Sequence, residues 1–259
     1  MKKKVYKGIV LAGGNGTRLK PLTNVINKAL LPVHDKPMIY HPIETLKGMG
    51  CNEIMIVSSP DHVGQLVQLL GSGRKMGVKF TYEVQDEAGG IAQALGLCED
   101  WAANENVIVI LGDNIYIDNK DIILKDEVKG ARVFVKYVHD PERFGVATID
   151  WGTNKILEIE EKPLKPDSHY CVTGLYVYDN RVFDIIKTLK PSGRGELEIT
   201  DVNNQYIQWG EMSFQVVEGP WIDAGTFDSL YEATTQIRNY REWKKNDNTI
   251  NKEIILNSV

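Results

Sequence analysis

Lys7-Gly-Ile-Val-Leu-Ala-Gly-Gly-Asn-Gly-Thr-Arg-Leu-Lys-Pro21 is an apolar run that empties into a glycine-rich loop and then into two cations. The apolar part, Gly8 to Ala12, reads as a buried strand, and glycines 13, 14 and 16 follow at once. Glycine lets backbone N–H groups approach an anion closely, and a nest of such groups holds phosphate. Arg18 adds a planar fork suited to phosphate oxygens. No Gly-Lys-Ser/Thr closes the loop, so it is not a Walker A motif. Leu19 stands where a dinucleotide fingerprint needs its third glycine. A plain glycine turn is the bland alternative. Thr17, Arg18 and the helix-restricting Pro21 favour a phosphate-binding loop.

Working outward, the first half alternates strand and helix. Apolar β-rich runs occur at Val5–Leu11, Glu53–Ser58, Lys79–Val84 and Val107–Leu111, with helical patterns at Pro37–Lys47, Asp61–Leu70 and Gly90–Trp101. In the second helix Val63, Leu66, Val67 and Leu70 follow the spacing of one buried face. Such alternation predicts a parallel sheet covered by helices on both sides, with ligands at the carboxyl ends of its strands. The second half changes character. Arg132–Val138, Gly145–Asp150, Lys155–Glu160 and Val172–Tyr178 read as strands joined by short turns, hence antiparallel additions. Helices at Arg181–Leu189 and Glu196–Trp209, a strand at Ser213–Val217 and a long helix at Thr226–Lys244 complete the chain, with a polar tail from Asn246.

The 259 residues carry a formal net charge of −5, with 42% hydrophobic and 25% charged residues. These are values of a globular protein with a sizeable core, and the acidic balance argues against general nucleic-acid binding. Cys51, Cys98 and Cys171 are scattered and odd in number, so neither a disulfide framework nor a zinc site is expected. The basic start Met1–Lys4 precedes only a short apolar run, too short for a signal peptide or a membrane span. A cytoplasmic protein with no membrane partner is expected. The five histidines show no triad or metal spacing.

Two acids are placed to work with the loop. Asp113, in Leu111-Gly-Asp-Asn114, ends an apolar strand on the side where the glycine loop lies. Asp223 sits in Trp221-Ile-Asp-Ala-Gly-Thr226. Alone, each reads equally as a turn or a helix start; together with Arg18 they make a coherent metal–triphosphate site, since Mg²⁺ on nucleotides takes only one or two protein carboxylates. Glu160-Glu-Lys-Pro163 closes a strand, and Pro163 stops it there, freeing Lys162 to turn into a cleft as a point cation for a sugar phosphate. Lys28, ahead of Ala-Leu-Leu-Pro32, is a further cation near the loop.

Taken in order, Gly13–Pro21, Asn27–Pro32, Asp35-Lys-Pro-Met-Ile39, Val84-Gln85, Gly89–Ala94, Leu111–Asn114, Asp140–Val146, Glu160–Pro163, Val172–Tyr176, Arg194–Asp201 and Trp221–Thr226 resemble the sugar nucleotidylyltransferase family, in particular its thymidylyltransferase branch. The resemblance runs from about Lys7 to about Thr235. It implies an α/β fold with a Rossmann-like mixed, mainly parallel sheet flanked by helices and inserted antiparallel sugar-binding strands. It also implies one nucleotidyltransferase domain over 1–259, with a nucleotide-binding half to about 130, a sugar-binding half over about 131–225, and the C-terminal helix and tail beyond.

Carried across by residue, the family pattern gives Leu11, Gly13, Gly14, Gly16, Thr17, Gln85 and Gly90 to the nucleotide, with Gln85 reading the pyrimidine edge. Arg18 and Lys28 would hold the triphosphate. Asn114, Gly145, Glu161, Val172 and Thr173 would line the sugar pocket, Lys162 would grip the sugar phosphate, and Asp113 and Asp223 would hold Mg²⁺. The implied reaction is dTTP plus glucose 1-phosphate giving dTDP-glucose and pyrophosphate, at the head of dTDP-rhamnose and other deoxysugar synthesis, by a homo-oligomer. At position 29 the thymidylyltransferases often carry a polar residue, whereas the alanine here resembles related uridylyltransferases, so UTP stays open beside dTTP. Longer members add a helical segment that forms a regulatory nucleotide site, for which the quoted motifs offer no counterpart. A non-catalytic sugar-nucleotide sensor would have lost the phosphate and metal groups, and a metal-dependent glycosyltransferase would want Asp-x-Asp where Leu111-Gly-Asp-Asn114 supplies one acid.

Overall fold

The computed structural model describes residues 6–118, 122–124 and 126–256, with side chains to 247. Val5 and the basic start lie outside them. The opening strand β1 (Lys7–Leu11) is buried along almost its whole length and lies in the middle of the main sheet. It pairs in parallel with β4 (Glu53–Ser58) and β6 (Val107–Leu111), and β4 pairs in parallel with β5 (Lys79–Val84). Near-continuous apolar sequence is what a strand buried on both faces requires. Ile9, Leu11, Val107 and Val109 face one core layer, and Val10, Ile108 and Ile110 face the other. The helices α1 (Tyr40–Gly48) and α2 (Pro60–Leu70) cover the second layer.

The antiparallel additions extend the same sheet. Beyond β6 the order continues through β11 (Tyr170–Tyr178), β9 (Gly145–Asp150) and β10 (Lys155–Glu161), while β8 (Ala131–Tyr137) pairs with β11 and β12 (Met212–Val216). Their undersides join the first core layer with α3 (Ile91–Gly96), α5 (Val182–Thr188) and α6 (Ile199–Gln208).

Several boundaries differ from the sequence reading. The first helix starts at Tyr40 rather than Pro37, because Pro37 closes a two-residue ribbon against Pro32, β2 (Pro32–Val33) with β3 (Lys36–Pro37). The third helix breaks: α3 ends at Gly96, which α5 approaches so closely that Ile186 would lie 3.1 Å from an added Cβ, and α4 (Glu99–Ala102) follows. The helix expected from Glu196 begins at Ile199, since Leu197 is drawn out to pair with Gly89 (2.8 Å) and Ala92 (3.2 Å). The last helix, α7 (Phe227–Leu256), runs on past Lys244 into the polar stretch from Asn246 that the sequence reads as a tail. No proline or glycine interrupts that stretch.

A second ribbon was likewise not legible in the sequence. Residues Trp221–Asp223 form β13, which pairs antiparallel with β7 (Asn114–Tyr116), opposing Asp223 to Asn114. This ribbon brings the two acidic motifs, more than a hundred residues apart, to one place at the carboxyl end of β6.

Candidate active site

The glycine loop leaves β1 and folds back on the segment that carries Lys28. Gly16 is left-handed (φ 59°), a conformation glycine adopts without strain, and the Thr23 hydroxyl donates to its carbonyl at 2.7 Å. The Asn27 Nδ2 donates to the Ala12 carbonyl at 2.9 Å, while its Oδ1 accepts from the Ala29 N–H at 2.8 Å. Asn27 thus staples the loop to the turn holding Lys28. Sequence reasoning passed over it, although an asparagine just ahead of a short helical turn is a familiar cap. The Lys28 ammonium rests against the loop, 3.5 Å from where a Cβ on Gly14 would sit.

Lys28 also pairs with Asp113; the acid is buried and the lysine largely so. Burial alone would pull the lysine down, but the adjacent Asp113 charge and hydrogen bond outweigh it and hold the ammonium above its ordinary range. Burial likewise works against the Asp113 carboxylate, and Lys28, with a hydrogen bond from Asn114 at 3.1 Å, wins and holds it below the usual range. Asp223 has no such partner. Burial first, and the Asp113 charge second, push it up to about 6. Its Oδ1 is sealed from solvent with no hydrogen-bond partner among the described residues, and Arg18 reaches only its other oxygen, at 3.9 Å. The Ala224 N–H donates to the Asp113 carbonyl at 2.9 Å, which locks the two acidic segments together.

Arg18 is half exposed and lies over Gly225, where an added Cβ would come 2.7 Å from its guanidinium. Glycine there leaves room for the arginine.

Two cavities meet at this cluster. One, of about 390 Å³, is walled by Leu11, Gly13, Gly14, Gly16, Lys28, Gln85 and Gly90. The other, of about 620 Å³, is walled by Arg18, Gly145, Glu161, Lys162, Val172 and Asp223. Thr17 and Asp113 line both. Every expected residue except Thr173 therefore faces a cavity. Strand alternation explains the exception: Val172 and Gly174 point to the cavity, while the Thr173 hydroxyl turns away, donating to the Phe134 carbonyl at 2.9 Å and accepting from the Tyr116 hydroxyl at 2.8 Å.

On the larger side Glu161 accepts from the Thr200 hydroxyl (2.7 Å) and from Arg194 (3.1 Å). Lys162 adopts a left-handed backbone (φ 47°), unusual for a residue with a side chain, and its N–H is held by the Phe144 carbonyl at 3.0 Å. That turn is what Pro163 announced. Asn114 lines the cavity but is almost fully buried: its Oδ1 accepts from the Gly174 N–H (3.0 Å) and from the Trp221 indole (2.7 Å), and its Nδ2 donates to Asp113, which it orients. Trp221, Arg143, Thr200 and Glu196 also line this region and were missed; none stands in a spacing that distinguishes it from an ordinary surface residue.

The fold and site define a nucleotidyl transferase. The chain belongs to the Nucleotidyl transferase family, whose model matches residues 7–240. Similar proteins include the glucose-1-phosphate thymidylyltransferases of Neisseria meningitidis serogroup A, 44% identical over 90% of this chain and 82% of that protein, and of Mycobacterium tuberculosis, 42% identical over the same shares. Among known structures it is similar to one from Bacillus anthracis, described as a glucose-1-phosphate thymidylyltransferase in complex with a sucrose, with TM-score 0.83, 52% identity, and 90% and 96% of the two chains covered. A UDP-glucose pyrophosphorylase complexed with UDP-glucose shares the fold, with TM-score 0.79 at 24% identity, covering 91% and 99% of the chains. No helix among the described residues is long and apolar enough to cross a membrane.

Proposed function

We propose that this enzyme joins dTTP to glucose 1-phosphate, giving dTDP-glucose and pyrophosphate, with the triphosphate in the glycine-loop cavity and the sugar phosphate in the larger one. The observation that carries the reading is that the two cavities share Asp113 at the point where both phosphate groups must meet. Relatives bearing the thymidylyltransferase name over 90% of this chain support the choice of substrates. The alanine at position 29 does not favour UTP, because Ala29 is fully buried beneath the loop and lines neither cavity.

The chemistry is an in-line displacement. An oxygen of the sugar phosphate attacks the α-phosphorus, the bond to the bridging oxygen breaks, and pyrophosphate departs with that electron pair. The nucleophile is already anionic at neutral pH, so the site needs no general base. It needs two anions brought together and their charge offset. Arg18 and Lys28 oppose the triphosphate, and Lys162 holds the sugar phosphate beside Glu161, whose carboxylate, already held by Thr200 and Arg194, keeps lone pairs to accept from sugar hydroxyls.

The acids fit a divalent cation. Asp223 carries a buried oxygen with no hydrogen-bond partner among the described residues, next to the ionised Asp113, and Asp113 and Asp223 would hold Mg²⁺. When bound, Mg²⁺ supplies charge neutralisation on the phosphates. The reading also takes from the resemblance a cytoplasmic homo-oligomer, which sedimentation of the purified protein would size. A matrix of dTTP, UTP and other nucleoside triphosphates against hexose 1-phosphates, followed by pyrophosphate release, tests the whole. Strict dependence on glucose 1-phosphate with preference for dTTP is expected, and release without a sugar phosphate would refute it.

A further inference from the structure

We infer that Gln93 sets the direction of the Gln85 carboxamide, and so makes the base pocket select pyrimidines that carry a proton on N3, thymine or uracil, over cytosine. The inference rests on the proposed placement of the nucleotide in the glycine-loop cavity.

Gln85 stands one residue beyond β5, almost fully buried, with its N–H bonded to the Ser58 carbonyl at 2.8 Å. Its side chain reaches the cavity wall between Gly13 and Gly90. A carboxamide has a donor end and an acceptor end of nearly equal size, so what the base meets depends on which end is turned outward to the cavity. Here the donor end is committed. Gln85 Nε2 donates to Gln93 Oε1 at 2.6 Å and, more weakly, to the Gly90 carbonyl at 3.4 Å. Oε1 is thereby left over Gly13, where any Cβ would overlap it, and no donor among the described residues reaches it.

Gln93 is itself seated by a bare backbone. It lies on the first turn of α3, and its Cγ would come within 2.9 Å of a Cβ at Gly89. The side chain packs across that glycine with its carbonyl toward Gln85.

The outward Oε1 accepts, so it complements the N3–H of thymine or uracil. Cytosine presents a lone pair at N3 and would set acceptor against acceptor. A site that leaves polar groups unpaired rejects the wrong ligand more strongly than one that merely lacks contact. Gln93 is then a positioning residue, acting on the base through Gln85.

The test is a series at one position: Gln93→Glu keeps an acceptor, Gln93→Leu offers neither, and Gln93→Lys offers a donor that would turn the Gln85 carbonyl inward. For each, kcat/KM with dTTP and with dCTP is measured at saturating glucose 1-phosphate, and the dissociation constants of both nucleotides by calorimetry. The dTTP-to-dCTP ratio should hold in Gln93→Glu, fall about tenfold in Gln93→Leu, the scale of one lost hydrogen bond, and fall further in Gln93→Lys. A purely structural role would weaken both nucleotides together and leave the ratio alone. An unchanged ratio across the series overturns the inference; should the leucine variant fail to fold, equal ratios in the glutamate and lysine variants overturn it alone. Wild-type enzyme that takes dCTP as readily as dTTP would remove the placement of the base at Gln85, and this inference with it.

Discussion

Replacing Asp223 by Asn should make the protein more stable near neutral pH while abolishing turnover. In the folded protein the Asp223 carboxyl is pushed from its ordinary 3.8 to about 6 by burial and by Asp113. A shift of roughly 2 units corresponds to about 3 kcal/mol at 1.36 kcal/mol per unit. The sign follows from proton binding. Between about pH 4 and 6 the folded state holds this proton more tightly than the unfolded chain, so stability contributed by the group falls as pH rises through that window and stays lost above it. Asn cannot ionise and escapes the loss. The pair with half-exposed Arg18, at 3.9 Å, returns little. Urea denaturation of both proteins in metal-free buffer from pH 4 to 8 should give its smallest difference at the acid end. By pH 7 it should favour Asp223→Asn by about 1–3 kcal/mol, or roughly 3–10 °C in Tm. Added Mg²⁺ should stabilise the wild type and leave the variant unmoved. A variant less stable than wild type at pH 7.5, or a difference flat with pH, would refute the view that this carboxylate is held in the fold against its own solvation.

Asp113→Asn should behave oppositely, costing about 3 kcal/mol in a urea titration, because it strands the largely buried Lys28 ammonium without its partner. The stability that Asp113 contributes in the wild type should be lost only as pH falls below the usual carboxylate range. Arg18→Ala should leave folding intact, since the side chain is half exposed, and lower kcat by roughly 10²-fold, the scale of one electrostatic donor; steady-state kinetics showing only a raised KM for dTTP would make it a binding group. Lys162→Ala should raise KM for glucose 1-phosphate by about 10-fold or more while calorimetry finds dTTP binding nearly unchanged.

Much of the site could be read along the chain because its chemistry is local. A run of buried apolar residues, three glycines and an arginine identify a strand and an anion loop through the backbone freedom and charge of those residues alone. Asp113 ends the neighbouring strand of the same apolar kind, and Pro163 forces the turn that frees Lys162. Strand periodicity was legible for the same reason, since alternation of neighbours is a property of consecutive residues. Three things lay beyond it. The ribbon of Asn114–Tyr116 with Trp221–Asp223 is two short segments whose pairing depends on partners far apart in sequence, and only it sets Asp223 beside Asp113. The inward turn of Thr173 depends on which face of β11 the rest of the fold covers. The charge states of Lys28, Asp113 and Asp223 depend on how much water the assembled core excludes, which no residue encodes by itself.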